Sequence, residues 1–561
     1  MGGYDWGLFN WNMLKRAQQM GAPVCDMVYW DYVKRNTELW GDKEAVVDTF
    51  LGFEKDKRRR KTWKEVYDDC NTIIFNLANL GLRKEHLVIT QLPNVIENYY
   101  ATIFTSKLSL IYACSQVELG EKDVKATLEA LAPDVTIIVP TYRDRELAKW
   151  HLEYQKDHSN LKYIFVVHEP DEPVPEGTKS FTELLNPAVR EIWDDTDLRF
   201  FKTDPFDPHL IVPSGGTTGA PKACLAAIGT FFPTIHDWYS KIGLIANDSG
   251  LVFGPLNGGT GRAMGVWCPI MSGSRSIFLT EFNEENACKM TEEERVTKWL
   301  ANPALMIRAI SNPSFDRYDL SSLRSLSYAG APLPPEIGEK VWGKGIHVGG
   351  AYGSMSVPSA GMISIAEDDK EICLTFSCDP PIGDEYIVVD AQGNELPSGE
   401  VGEIWIWAMH HGFYRDPDLT IESYDEEGYQ HTGDIGLKNE KGNIKIVGRS
   451  TDMILRGGQN VFPKEVEDVL GKHPKVREIA VVPMPDKLLG EKACAYVVPM
   501  TEEKITLKDL TAYLKEYDVT KYKWPERLEI IDEMPVSTGG KIMKDPLKKG
   551  IADKLKKEGS V

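Results

Sequence analysis

This 561-residue chain has little of what would mark a special environment. Its nine cysteines are scattered and form no Cys-x-x-Cys pair, so neither a zinc site nor a disulfide framework is expected. The opening MGGYDWGLFNW has no basic stretch leading into an apolar core, and no run approaches the ~18 apolar residues of a membrane span. A cytoplasmic protein without a membrane span is the expectation. Positive charge is also scarce: 64 Lys and Arg against 84 Asp and Glu leave a net charge of −20, with no basic excess to neutralise a phosphate backbone. Nucleic acid is therefore not an expected partner. The one basic cluster, KDKRRRK at residues 55–61, reads as a solvated hairpin tip. Low-complexity tracts are absent, and the length calls for three to four structural units of ~150 residues each.

What is present is a long alternation of helices and short apolar strands. Val66, Ile73, Leu77 and Leu80 recur at helical spacing until Gly81 closes the run, residues 87–92 read as a strand, 101–110 as a helix and 136–139 as a buried strand. Residues 210–212, 251–253 and 276–279 add further strands, which makes a doubly wound α/β layer the expected fold class. The last ~110 residues read as a separate small domain. In it Pro463 opens a helix to Leu470, residues 479–482 and 493–498 alternate as strands, and Thr506 caps a helix with Leu507, Leu510 and Leu514 turned inward.

The stretch SGGTTGAPK follows the strand at 210–212. Gly215, Gly216 and Gly219 let the backbone approach a ligand, Ser214, Thr217 and Thr218 add hydroxyls, and Lys222 adds a mobile cation. This composition suits a polyphosphate, although a flexible surface loop has the same composition. A Walker loop is excluded, because Pro221 precedes the lysine and Ala223 follows it.

The stretch resembles the phosphate-binding loop of the AMP-forming adenylating superfamily, with Gly215 replacing one residue of the more usual Thr-Ser opening. That superfamily includes acyl-CoA synthetases, peptide-synthetase adenylation domains and beetle luciferases. Four further motifs follow in family order, and the resemblance spans about residues 40–550. It implies that Gly330, Ala331, Pro332 and Tyr352 form the adenine platform, and that Asp434 of HTGDIG binds the ribose hydroxyls. Arg449 is implied to contact ribose and phosphate, Thr451 to be the pivot between domains, and Gly458 to line the pantetheine tunnel. Lys541 of PVSTGGKI is implied as the catalytic lysine that bridges the carboxylate and the α-phosphate.

Acyl-pocket candidates are Phe231, Phe232, Trp238, Trp267 and Ala331, which suit an apolar or ring-bearing acid or simply fill a core. Asn257 reads either as a pocket residue or as a plain turn residue. Met355 and Ser356 depart from the family pattern, which has a phosphate-binding threonine and a magnesium-binding glutamate there. How Mg²⁺ is held is therefore open.

The implied architecture is a large multi-layer N-terminal domain of doubly wound sheets, residues 1–449, followed by a small mobile α+β lid, residues 450–561. The implied activity joins a carboxylic acid to coenzyme A at the expense of ATP, through an acyl-adenylate. Two alternatives stay open: loading of a carrier-protein thiol, and a nucleotide-binding pseudoenzyme suggested by Met355 and Ser356.

Overall fold

The computed structural model describes residues 11–23, 25–194, 196–213, 223–330, 333–353, 361–363, 370, 377–378, 380–457, 459–500, 504–536 and 542–558. The chain divides into two compact units, residues 1–385 with 406–430, and residues 386–405 with 431–561.

Two sheets build the large unit. The eight-stranded sheet runs in the order Met362–Ile363, His347–Tyr352, Ser325–Ala329, Lys298–Ala301, Ser249–Val252, Arg275–Phe278, Glu44–Asp48, Arg59–Thr62. The seven-stranded sheet runs Lys179–Ser180, Tyr163–Val166, Val135–Ile138, Leu87–Gln91, Ile111–Cys114, Leu210–Pro213, Ala223–Ala226. Both are parallel except at edges, where Met362–Ile363, Arg59–Thr62 and Ala223–Ala226 pair antiparallel. This is the doubly wound α/β expectation realised twice.

Local chemistry sets the helix ends. In Trp63–Asn79, Thr62 accepts from the Glu65 amide while the Glu65 carboxylate accepts from the Thr62 amide, and Gly81 beyond the end takes φ +87°. The helix expected at 101–110 spans Ile96–Leu108 instead. It packs against strands of both sheets and is buried on every face, so no apolar stripe marks where it starts.

Polar ties join the layers. Asn94 donates to the Gly254 and Leu279 carbonyls at 3.0 and 3.2 Å and accepts from the Leu256 amide at 3.0 Å. Arg262, fully buried, donates to the Leu256 carbonyl at 3.2 Å, to Thr102 Oγ1 at 3.3 Å and to the Tyr112 hydroxyl.

The basic run fits its sequence reading at the tip, where Lys55 and Lys57 are exposed in the hairpin of Glu44–Asp48 and Arg59–Thr62, but its arginines depart from it. Arg59–Thr62 is an edge strand, and Arg58, Arg59 and Arg60 turn away from solvent onto acids: Arg58 onto Glu293 and Glu294, Arg59 onto Asp48 and Glu97, Arg60 onto Glu44 and Glu294. Asp48, Glu97 and Glu294 are buried carboxylates that need cations, a demand invisible in the local sequence.

The smaller unit holds a sheet ordered Gln459–Val461, Ile454–Arg456, Gly490–Pro499, Val476–Asp486, with Arg527–Ile530 parallel to Gly490–Pro499, and most of a second sheet in which Ile444–Arg449, Gln430–Lys438, Val401–Trp407 and Glu385–Val389 follow one another. Its side chains alternate as a pleat demands. Val481, Ala495 and Val497 share a core with helices Pro463–Leu470 and Leu507–Glu516, whereas Ala480, Val482, Cys494, Tyr496 and Val498 pack with Leu547, Ile551 and Leu555 of Lys544–Lys557. The Thr506 cap forms as expected, with Asp509 completing the reciprocal pair. Among the described residues no helix is long and apolar enough to cross a membrane.

Candidate active site

In the large unit the strands Ser325–Ala329 and His347–Tyr352 run side by side in parallel, with Ala329 opposite Ala351. That register brings Gly330 and Tyr352 together where the two strands end, which is where open parallel sheets present ligand sites. Gly330 has φ +97°, a conformation that favours glycine, and the Tyr352 side chain is buried. Ala331 and Pro332 lie outside the described residues, as do residues 214–222, Met355, Ser356, Gly458 and Lys541. The strand Leu210–Pro213 ends where the Gly-rich loop begins, also on the carboxyl side of a parallel strand.

Of the acyl-pocket candidates, Phe231, Phe232 and Trp238 all sit on the helix Ile228–Ile242 and are buried. The Phe231 and Trp267 rings approach to 4.9 Å between centroids, and Trp267 stacks on Tyr29 at 6.2 Å, so these three make one aromatic cluster. Burial holds the Tyr29 phenol well above its ordinary pKa, and it stays neutral. Phe232 points elsewhere, towards His236 at 5.7 Å, and Trp238 Nε1 donates to the Gly361 carbonyl at 3.0 Å. Asn257 is buried, and its amide donates to the Leu92 carbonyl at 2.9 Å, tying its turn to the neighbouring sheet.

In the smaller unit the hairpin of Gln430–Lys438 and Ile444–Arg449 sets Asp434 directly opposite Arg449. Arg449 Nε donates to Asp434 Oδ1 at 2.8 Å, and the partners differ sharply in exposure, 62% for the Arg449 side chain against 8% for that of Asp434. A largely exposed guanidinium over a buried carboxylate presents both signs of charge at one spot, which suits a ligand carrying hydroxyls beside phosphate. Thr451 follows in the short turn Ser450–Asp452, where its carbonyl accepts from Lys548 Nζ at 3.1 Å.

Sequence reasoning missed Glu403, whose Oε1 accepts from the Gly433 amide at 3.0 Å. The available signal was a lone carboxylate at the head of the apolar stretch EIWIW. Arg262 and Asn94 were likewise missed, since their partners lie far away in sequence.

Paired doubly wound sheets with a smaller α/β unit are the arrangement of the adenylate-forming fold. The chain belongs to the AMP-binding enzyme family: the profile of the AMP-binding enzyme matches residues 33–410, and that of the AMP-binding enzyme C-terminal domain matches residues 465–541. Among curated proteins it is similar to the medium-chain fatty-acid–CoA ligase of Escherichia coli, 31% identical over 345 residues, which is 61% of this chain and 61% of that protein. It is also similar to 4-coumarate-CoA ligase 1 of Narcissus pseudonarcissus, 26% identical over 533 residues, 93% of each chain. Its fold matches that of ATP-bound MatB from Rhodopseudomonas palustris with a TM-score of 0.80 at 21% identity, covering 94% of this chain and 99% of that one.

Proposed function

We propose that this enzyme activates a carboxylic acid with Mg·ATP and transfers the acyl group to coenzyme A. The acid's carboxylate oxygen attacks the α-phosphorus, a P–O bond forms as the bond to pyrophosphate breaks, and an acyl-adenylate results. The thiol of coenzyme A then attacks the acyl carbon, AMP leaves, and the thiol proton passes to solvent. Both steps depend on positioning and charge neutralisation.

The observation that carries this reading is the Asp434–Arg449 pair, a carboxylate and a guanidinium held side by side on neighbouring strands. In the roles assigned, residues 214–222 hold the triphosphate, with magnesium entering on the nucleotide. Gly330, Ala331, Pro332 and Tyr352 cradle adenine, and Asp434 and Arg449 hold ribose and α-phosphate. Lys541 acts at the reacting centre, and Gly458 borders the route of coenzyme A. Thr451 is the pivot between an N-terminal part ending at Arg449 and a C-terminal lid. The aromatic cluster of Tyr29, Phe231 and Trp267 supports an apolar or ring-bearing acyl group. Coenzyme A as acceptor is supported by the names of two relatives, both CoA ligases.

The test is a panel of short, branched, alicyclic and aromatic acids assayed for acid-dependent ATP–pyrophosphate exchange and for CoA-thioester formation. Exchange with thioester formation supports the proposal. Exchange without it points to a carrier-protein thiol, and no exchange with any acid points to a nucleotide-binding pseudoenzyme.

A further inference from the structure

Glu403 stands out among side chains that the proposed reaction does not use. It lies in the strand Val401–Trp407, next in its sheet to Gln430–Lys438, and is followed by the buried Ile404. Glu403 itself is half-buried, and one donor meets its carboxylate. The donor is the Gly433 amide, 3.0 Å from Oε1, and this is the one hydrogen bond of the Glu403 side chain among the described residues. Gly433 adopts φ +69°, a conformation that favours glycine, and a Cβ there would meet Ser450 Oγ at 3.4 Å. The same face carries Trp405 stacked on His431 at 3.7 Å, which fixes how the two strands face each other.

Gly433 immediately precedes Asp434. On its other side Thr432 Oγ1 donates to the Ile404 carbonyl at 2.6 Å and accepts from the Asp434 amide at 3.0 Å. Glu403 and Ile404 thus hold the peptides on either side of Gly433, while Arg449 holds Asp434 Oδ1. The backbone that aims the Asp434 carboxylate is fixed from one strand and its oxygen from the other.

We propose that Glu403 is a positioning residue for nucleotide binding: by capturing the Gly433 amide it sets the direction of the Asp434 carboxylate, and so the affinity for the ribose hydroxyls. This rests on the ribose role of Asp434 proposed above. What matters is an acceptor oxygen at the end of a three-carbon reach, and the charge itself is secondary.

The test is equilibrium titration of the full-length protein with ATP and with 2′,3′-dideoxy-ATP, which lacks both hydroxyls. Glu403→Ala and Glu403→Asp should each raise Kd for ATP about tenfold, the loss of one charge-assisted hydrogen bond. They should leave Kd for the dideoxy nucleotide nearly unchanged. Glu403→Gln, which keeps both reach and acceptor, should bind both nucleotides like the wild type, and it carries the test if the alanine variant fails to fold. An equal rise for both nucleotides overturns the proposal, as does a Gln variant as impaired as Ala beside an intact Asp variant. Asp434→Ala run alongside separates the layers of the argument. If it leaves the preference for ATP over the dideoxy nucleotide intact, the ribose role falls; if it abolishes that preference while the Glu403 variants do not disturb it, only the role of Glu403 falls.

Discussion

Asp434 and Glu294 are both buried carboxylates facing arginine, yet the arginines differ in exposure and in the role proposed for the pair. Arg449 gives Asp434 one bond from a largely exposed side chain, whereas Glu294 is enclosed by Arg58, Arg60 and Arg275. Asp434→Ala should therefore act on the ligand. With each charge-assisted hydrogen bond worth roughly 1.5–3 kcal/mol, KM for ATP should rise about 10- to 100-fold in pyrophosphate exchange, with thermal stability little altered. Glu294→Gln should act on the fold. Burial raises the carboxyl pKa, but the hydrogen bond and charge of Arg60, with Arg275 and Arg58, overcome this and bring it down from 4.5 to about 2. A group whose pKa is lower folded than unfolded contributes its stability above the ordinary carboxylate range and loses it as pH falls. The variant should be destabilised near neutral pH by about 3 kcal/mol, the scale for breaking a buried pair, and its deficit against wild type should shrink as pH drops from 4.5 towards 2. Chemical denaturation across that range checks this; a deficit independent of pH would remove the ionised network as the cause. Motif residues such as Asp434 and Arg449, which the hairpin sets opposite each other, were singled out in the sequence by their resemblance to family motifs. Glu403 and Arg262 were not, because their partners come from strands and helices that only tertiary packing brings near.

At the scale of elements, the sequence was readable wherever one face is buried and the other wet. Trp63–Asn79 shows that pattern, and the strand pair Val476–Asp486 and Gly490–Pro499, packed on both faces, was found instead from its apolar β-branched runs, each within a few residues. Ile96–Leu108 lacks it, being buried all round between the sheets, and its start was read five residues late. The arginines at 58–60 were misread for a related reason: charge was taken as a sign of solvent, which holds at Lys55 and Lys57, but the arginines neutralise carboxylates inside. Gly273 shows how tightly such junctions are built. It ends the short helix Cys268–Ser272 at φ +78°, and a Cβ there would lie 2.1 Å from the Trp40 ring. Gly273→Ala combines a left-handed backbone cost of about 1 kcal/mol with overpacking of about 1–3 kcal/mol. A loss of roughly 2–4 kcal/mol is expected, read from the urea midpoint at unchanged m. A midpoint like that of the wild type would mean that Trp40 moves aside freely.

At the scale of the whole molecule, the doubly wound architecture followed from helix and strand alternation, and the family from the order of five motifs. The two compact units interleave in sequence, residues 386–405 grouping with the C-terminal part, which a linear reading for a linker does not reveal because the crossing points lie within or beside strands. The proposed chemistry needs the C-terminal part to serve two steps in turn, and Lys541 is where that requirement can be tested. Its motif assigns it to the carboxylate and α-phosphate while the adenylate forms. A cation placed where negative charge develops contributes through the transition state, and deleting one such donor costs about 10²–10³ in kcat. Transfer of the acyl group to a thiol builds charge elsewhere, on the acyl oxygen and the departing AMP, and in the proposed scheme uses another orientation about Thr451. Lys541→Ala should therefore depress acid-dependent pyrophosphate exchange by about that factor, yet leave thioester formation from a supplied acyl-adenylate within about twofold of wild type. Both half-reactions can be followed on the same preparation, so misfolding would show as parallel loss of each. If the variant loses both equally while its melting temperature stays that of the wild type, Lys541 serves both steps, and the division of labour between two lid orientations is wrong for this enzyme.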